Sequence, residues 1–214
     1  MEPNKILILG AGVYAEEVAD LVFDCEGYQL VGFIDEFNPP GAGVKKMNLP
    51  VMTLGEAVEF SESQYIVSGV VGSKREAFIL RAIDLGFLFE TLIHPACIVS
   101  KSAVIGTGTA IRGGCVVAAN VRIGQHVMIN RGCLIGHDVV IGDFARLGPG
   151  VNIAGKTVIG TGTEVGMGAN IIDNLRIGHH SLIGAGSLVT RDVPDLVQVV
   201  GMPAQVIRRL DKVE

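Results

Sequence analysis

Two folds joined in series are predicted for this 214-residue chain: an α/β unit with a small parallel sheet over residues 1–92, then an all-β parallel helix over 93–200, with a tail over 201–214. Three observations predict them. Strand-like and helix-like stretches alternate up to about residue 92, an aliphatic side chain recurs at every sixth residue from Ile93 to Val189, and the chain holds 29 glycines but no Trp. Abundant Gly among aliphatics implies many tight turns between short buried strands.

In the first unit, "KILILG" reads as a buried strand and "AGVYAEEVADLVF" as an amphipathic helix, with Val13, Val18, Leu21 and Val22 near one stripe. "YQLVGFIDE" is a second strand ending in acids. "SQYIVSGVVG" and "SKREAFILRAIDLGF" give a further strand and helix. This alternation implies βαβ units. The first turn, Gly10-Ala11-Gly12-Val13-Tyr14-Ala15, matches G-x-G-x-x-A between strand and helix, which makes the unit Rossmann-like. Such glycines let a diphosphate approach backbone N–H groups at a helix N-terminus. Asp35 ends the second strand, placed for a ribose or base contact, and Gly72 in "VGSKRE" repeats the strand–Gly–helix geometry. Lys74 and Arg75 could meet phosphate, against the alternative of solvated helix charges. One mononucleotide-binding half suits a single nucleoside diphosphate better than a dinucleotide.

The second unit is set by its period. All seventeen residues from Ile93 to Val189 in steps of six are Ile, Leu or Val, and nine are followed by Gly. Two positions before each aliphatic stands a residue that is small almost throughout, such as Cys115, Cys133, Ala145 or Thr163. Residues two apart on a strand point to one side, so each hexad offers a small and a large inward residue and then a turn. Three hexads make an 18-residue coil, and about five coils stack in a β-solenoid. Cys97, Cys115 and Cys133, spaced by 18, then form one reduced inward column. Their parallel side chains are wrongly aimed for a disulfide.

On a repetitive surface, chemistry falls to the residues that break the repeat. His137 follows Ile135 by two, at a corner, between Ala119 one coil before and Gly155 one coil after. Asp138 is adjacent and Asn130 lies seven residues earlier.

The hexad pattern resembles the hexapeptide-repeat acyltransferases, whose left-handed parallel β-helix is built on [LIV]-[GAED]-x-x-[STAV]-x. "IN-x-G-x-x-IGHD-x-x-IGDF" over 129–144, "IHP" at Ile93-His94-Pro95 and the "VGMPA" exit at Val200-Gly201-Met202-Pro203-Ala204 resemble the sialic-acid O-acetyltransferase and bacillosamine-type nucleotide-sugar N-acetyltransferase group. The resemblance spans essentially the whole chain. It implies transfer of acetyl from acetyl-CoA to the 4-amino group of a nucleotide-linked 4-amino-4,6-dideoxy sugar, UDP-linked by preference. His137 would act as general base, a task suited to imidazole, with Asp138 orienting it. It implies nucleotide-sugar contacts at Gly12, Val13, Tyr14, Asp35, Glu36 and Gly72, and Asn130 of a neighbouring chain near the acceptor. Acetyl-CoA contacts are implied at Arg146, Gly155, Met167 and Ala185. A homotrimer with active sites between subunits follows from the family too. Outward apolar residues such as Val104, Val116, Leu134 and Val140 suit a covered face.

Two positions depart from the family. Arg146 stands where relatives often have a second His, and could either donate to the thioester carbonyl or pair with Glu164 one coil up. Tyr14 replaces a frequent His. O-acetyl transfer to sialic acid is the nearest alternative, and a non-catalytic nucleotide-binding scaffold is an alternative of another class. A zinc hydratase needs three converging His, and His94, His126, His137, His179 and His180 are not spaced to supply them; no metal is expected. A formal charge of −5 argues against a nucleic-acid partner. No apolar run approaches the ~18 residues of a membrane span and no signal peptide is read, so a cytoplasmic location is expected. The tail, "AQVIRRLDKV", is expected to form a short helix on the last coil.

Overall fold

The structure, a computed structural model, describes residues 2–36, 43–60, 65–70, 72 and 74–211. It divides into two compact units, 1–92 and 93–214.

The first unit is a six-stranded sheet with three helices. β1 (Asn4–Leu9) is central, flanked by β2 (Tyr28–Ile34) and β5 (Tyr65–Ser68), both parallel to it. β4 (Leu49–Met52) and β6 (Leu88–Phe89) lie further out, and β3 (Lys45–Lys46) is an antiparallel edge, giving the order β3-β4-β2-β1-β5-β6. A strand covered on both faces must be apolar throughout, and Ile6, Leu7, Ile8 and Leu9 are all buried. The helices are α1 (Val13–Asp24), α2 (Leu54–Ala57) and α3 (Arg75–Asp84). The buried face of α1 is Ala15, Val18, Ala19, Leu21 and Val22, an i, i+3, i+4, i+7 stripe. Val13, expected on that stripe, is 84% exposed; as the first helical residue it lies about two positions ahead of the stripe's phase. A capping box starts α2: Thr53 accepts from Glu56 N while Glu56 accepts from Thr53 N. The bond from Thr53 N first, then one from the Thr53 hydroxyl at 3.0 Å, hold the Glu56 carboxyl below its ordinary value. Val71 and Ser73 of the second glycine turn lie outside the described residues.

The second unit is a parallel β-solenoid. Seventeen two-residue strands run from Leu92–Ile93 to Leu188–Val189, stacked in register on strands 18 residues away, as in Val116↔Leu134 and Leu134↔Asn152. The sixth-residue aliphatics from Ile111 onward fill the interior. The small inward residues do more than fit. At Thr109, Cys115, Cys133, Thr157 and Thr163 the hydroxyl or thiol donates to the carbonyl 15 residues on. The cysteines therefore stand in for threonines, satisfying corner carbonyls that a dry core would leave unmade. Cys97, Cys115 and Cys133 form no disulfide. Hydrogen bonding with Cys133, followed by burial, pushes the Cys115 thiol far above its ordinary value, so it stays protonated.

The glycine after the aliphatic has a packing cause. A methyl on Gly136 would lie 2.7 Å from Gly155 N, one on Gly142 2.6 Å from Thr161 N, and one on Gly148 2.6 Å from Met167 N. Successive coils approach too closely there for a side chain.

The tail differs from expectation. Val197–Gly201 joins the sheet beside Leu182–Ile183, and Ala204–Arg209 returns antiparallel to it around a cis Met202–Pro203 bond. The last coil leaves a row of unpaired backbone groups, and a strand satisfies them where a helix would not.

Candidate active site

Each coil turns three corners, and from Gly108 to Gly186 every sixth residue, one per corner, has positive φ. At the corner after Ile135 that residue is Asp138 (φ 58), whose N–H donates to Ala119 O at 3.0 Å. His137 immediately precedes it, so its side chain leaves the corner outward. The His137 Nδ1 to Asp138 Oδ2 distance is 2.7 Å, and the side chains are 60% and 43% exposed. Both are within reach of a ligand. The imidazole lies over Gly155 of the next coil: a methyl there would sit 2.7 Å from His137 Nε2 and 2.8 Å from Cε1. The space that a side chain at Gly155 would take is filled by the His137 ring, and Gly155 is what lets the ring lie down.

Asp138 has a second partner. Asn120 Nδ2 donates to its Oδ1 at 3.1 Å. The His137 contact first, then the Asn120 bond, hold the Asp138 carboxyl below its ordinary value, with Lys156 adding a smaller attraction. An ionised carboxylate so held fixes the imidazole with Nδ1–H toward it and leaves Nε2 as the acceptor.

Arg146 takes the ion-pair branch of its two readings. Its Nη2 lies 2.5 Å from Glu164 Oε2 on the neighbouring strand. The Arg146 Nε is buried without a hydrogen-bond partner. Asn130 has its backbone tied down: its carbonyl accepts from Cys115 and Cys133 thiols at 3.1 and 3.0 Å. Met167 is 62% exposed and occupies the corner after Val165, one coil on from the corner after Leu147; Ala185 follows it one coil further. The positive-φ residue of that corner is Gly in five coils, 114, 132, 150, 168 and 186. Methyls on the last four would meet nothing within 4 Å.

In the α/β unit the strand order reverses about β1, since one crossover leads to β2 and a later one to β5. Ligands of such sheets bind at the carboxyl ends of the strands at this point. Gly10 N donates to Ile34 O, and Gly69 N to Leu9 O, closing the floor. The two glycines of the turn differ. A methyl on Gly10 (φ 113) would lie 2.8 Å from Val70, so conformation and packing both demand glycine. Gly12 has φ −69 and open space around it. Nothing inside the fold requires glycine there, as expected where a ligand comes close to the backbone. Gly12 is the N-cap residue of α1, and its carbonyl accepts from Ala15 N at 3.1 Å. Val13 and Tyr14 follow it. Gly72 (φ 91) is likewise in open space.

Glu36 is committed inside the unit, accepting from Leu54 N at 2.9 Å and lying 3.3 Å from Arg81 Nη1. Asp35, beside it, donates its N–H to Met52 O. Arg75 is buried, which removes the solvated-charge reading for it. Lys74 is exposed.

Among the described residues no cluster of three His, Cys, Asp or Glu could hold a metal ion, and no helix is long and apolar enough to cross a membrane. Asn120 and the glycine corner were missed from the sequence. The signal for both was present, in the residues 18 apart at the positive-φ position.

Residues 120–155 match the bacterial transferase hexapeptide family and residues 5–74 the PglD N-terminal domain family. The acetyltransferase domain of PglB from Neisseria gonorrhoeae is similar with 30% identity and TM-score 0.85, over 95% of this chain and 100% of that one. The perosamine N-acetyltransferase of Caulobacter crescentus, in complex with CoA and GDP-perosamine, is 28% identical with TM-score 0.84, over 95% of this chain and 96% of that one. WeeI from Acinetobacter baumannii is 25% identical with TM-score 0.85, over 94% and 99%. No curated protein sequence matches.

Proposed function

This chain belongs to the hexapeptide-repeat acyltransferases of the nucleotide-sugar N-acetyltransferase family, and we propose that it carries acetyl from acetyl-CoA to the 4-amino group of a UDP-linked 4-amino-4,6-dideoxy sugar, with His137 as general base. The observation that carries the reading is the exposed His137–Asp138 pair at 2.7 Å, with its Nε2 over Gly155.

The chemistry follows from that geometry. An alkylammonium near neutral pH has no lone pair to attack with. A bound amine that gives its proton to His137 Nε2 as its nitrogen attacks the thioester carbonyl does. The N–C bond forms, the C–S bond breaks, and the proton passes from His137 to the departing CoA sulfur. Asp138, kept ionised, steadies the imidazolium between the two transfers. Arg146, tied by one nitrogen to Glu164, retains others for the thioester oxygen or CoA.

Acetyl-CoA is proposed to lie along the glycine corner, touching Met167 and Ala185, and to reach Gly155. A track without side chains, about 19 Å over four coil spacings of ~4.8 Å, suits an extended pantetheine arm. The acceptor's diphosphate is assigned to the glycine turn at the N-terminus of α1, at Gly12, Val13 and Tyr14, with Asp35 and Gly72 beside it. Glu36 shapes that turn from within. A nucleotide-linked acceptor is supported by the GDP-perosamine bound to the Caulobacter enzyme; the choice of UDP rests on the resemblance of the 129–144 motif to the bacillosamine-type group. A homotrimer, with Asn130 of one chain serving its neighbour's His137, completes the reading.

Thiol release from acetyl-CoA tests it, with UDP-, GDP- and dTDP-linked 4-amino-4,6-dideoxy sugars as acceptors. The expected result is release with the UDP sugar and a loss of about 10²–10⁴-fold in His137→Ala. Preference for another base would overturn the UDP assignment alone. Undiminished release in the variant would overturn His137 as base.

A further inference from the structure

We propose that Asn120 is a positioning residue for acyl transfer, holding the Asp138 carboxylate so that its other oxygen faces His137. The inference rests on the reading of His137 as general base and adds a residue that the hexad motif does not mark.

Asn120 and Asp138 occupy the same corner position in consecutive coils, with φ 61 and 58. The shared backbone conformation sets their side chains side by side on neighbouring coils, within hydrogen-bonding distance. Asn120 Nδ2 donates to Asp138 Oδ1 at 3.1 Å, while Asp138 Oδ2 lies 2.7 Å from His137 Nδ1. Both carboxylate oxygens are thus used, one on each side. Without Asn120 the exposed carboxylate would be free to rotate about its Cβ–Cγ bond, and the imidazole would lose its fixed partner. Asn120 is itself anchored, since its backbone N–H donates to Ser102 Oγ at 2.9 Å and Ser102 Oγ lies 3.1 Å from Ser100 Oγ. A polar ladder therefore runs from Ser100 through Ser102, Asn120 and Asp138 to His137. Lys156 follows Asp138 in the same column, with φ 60, and is the other charge acting on that carboxylate besides His137.

The residue type fits the task. Asn tolerates positive φ better than other side-chain-bearing residues and offers a neutral donor. An acid there would set two carboxylates against each other, and glycine would keep the turn but lose the bond.

The test compares Asn120→Gly, Asn120→Asp and His137→Ala in the full-length protein, by steady-state kinetics with both substrates varied. In Asn120→Gly, kcat should fall about five- to tenfold with both KM values and the melting temperature little changed, because glycine keeps the corner's backbone. In Asn120→Asp the loss should be larger. Its ratio to wild type should recover as the pH is lowered and the two facing carboxylates come to share a proton. A purely structural role would move the melting temperature and not that pH-dependent ratio. An unchanged kcat in both Asn120 variants, or a change confined to KM, overturns the proposal while leaving His137 as base. Full activity in His137→Ala overturns the reading beneath it.

Discussion

At the corner that carries His137, the positive-φ position holds Asn120, Asp138, Lys156 and Asn174 in successive coils; at the corner after Ile129 and Leu147, the same position is glycine in five coils. Left-handed backbone costs a side-chain-bearing residue about 1 kcal/mol relative to glycine. One corner accepts that cost repeatedly and the other never does. At the first, side chains are linked, Asn120 to Asp138 and Asp138 to His137. At the second, the space beyond the glycines is empty. The third corner mixes the two, with Gly108 and Gly162 alternating with His126, Phe144 and His180; there His126 stacks on Phe144 at 5.2 Å. The same turn serves as a tool holder in one place and as a cleared track in another. Position along the perimeter separates the roles, since the backbone is the same.

The largest effect should come from adding one methyl to the histidine corner. Gly155→Ala places a carbon 2.7 Å from His137 Nε2, so the ring must leave its position. A displacement of about 1 Å at a reacting group lowers kcat on the order of a hundredfold, and that is the expected loss, with little change in melting temperature. The exposed imidazole moves without disturbing the core. Wild-type kcat in this variant would mean that the ring's present position is not the reactive one.

A smaller effect, of the opposite kinetic kind, is expected at the glycine corner. Gly168→Asn keeps a residue type that tolerates positive φ, and a Cβ there meets nothing within 4 Å. Stability should therefore drop by about 1 kcal/mol or less. If the track seats acetyl-CoA, its KM should rise about three- to tenfold, a change of roughly 1 kcal/mol, with kcat held. Unchanged KM for acetyl-CoA would remove the cofactor from this corner.

The contrast between the corners was only half legible in the sequence. The solenoid was, because an unbroken six-residue aliphatic beat has no other physical source, and His137 stood out as the residue that breaks it. Stacking at 18 residues also exposed the Ala119–His137–Gly155 column. The column beside it, which holds Asn120, and the glycine column at the next corner carry no hydrophobic signal; residues 18 apart mark both, and their meaning shows once the positive φ of each corner is known. In the α/β unit, strands buried on both faces announced themselves as apolar runs. The Lys45–Met52 hairpin did not, since two of its residues are lysines and its strands are short. The tail misled for a similar reason. "AQVIRRLDKV" has helical composition, but an open sheet edge beside Leu182–Ile183 decides its fate, and local propensity has no access to that edge. Glu36 is a substrate contact only by what the family resemblance implies. Its commitment to Leu54 N and Arg81 depends on a chain segment 18 and 45 residues away.

The smallest effect separates charge from shape at the histidine corner. Asp138 has its carboxyl held below its ordinary value by His137 and then Asn120. A carboxylate with a depressed folded-state pKa contributes stability above its unfolded value of about 3.9, and that contribution is lost as the pH falls through the lower folded value. Because the group is solvent-exposed, the contribution is small. Asp138→Asn should thus melt slightly below wild type near neutral pH, and the gap should close as the pH is taken below about 3.9. Thermal unfolding at a series of pH values reads it directly. The Gly168→Asn variant is the control, since no titratable group is exchanged there and its gap to wild type should stay constant across the same range. A gap for Asp138→Asn that persists at low pH would show that the corner is held by the side chain's shape. The linked column would then differ from the glycine column in packing alone.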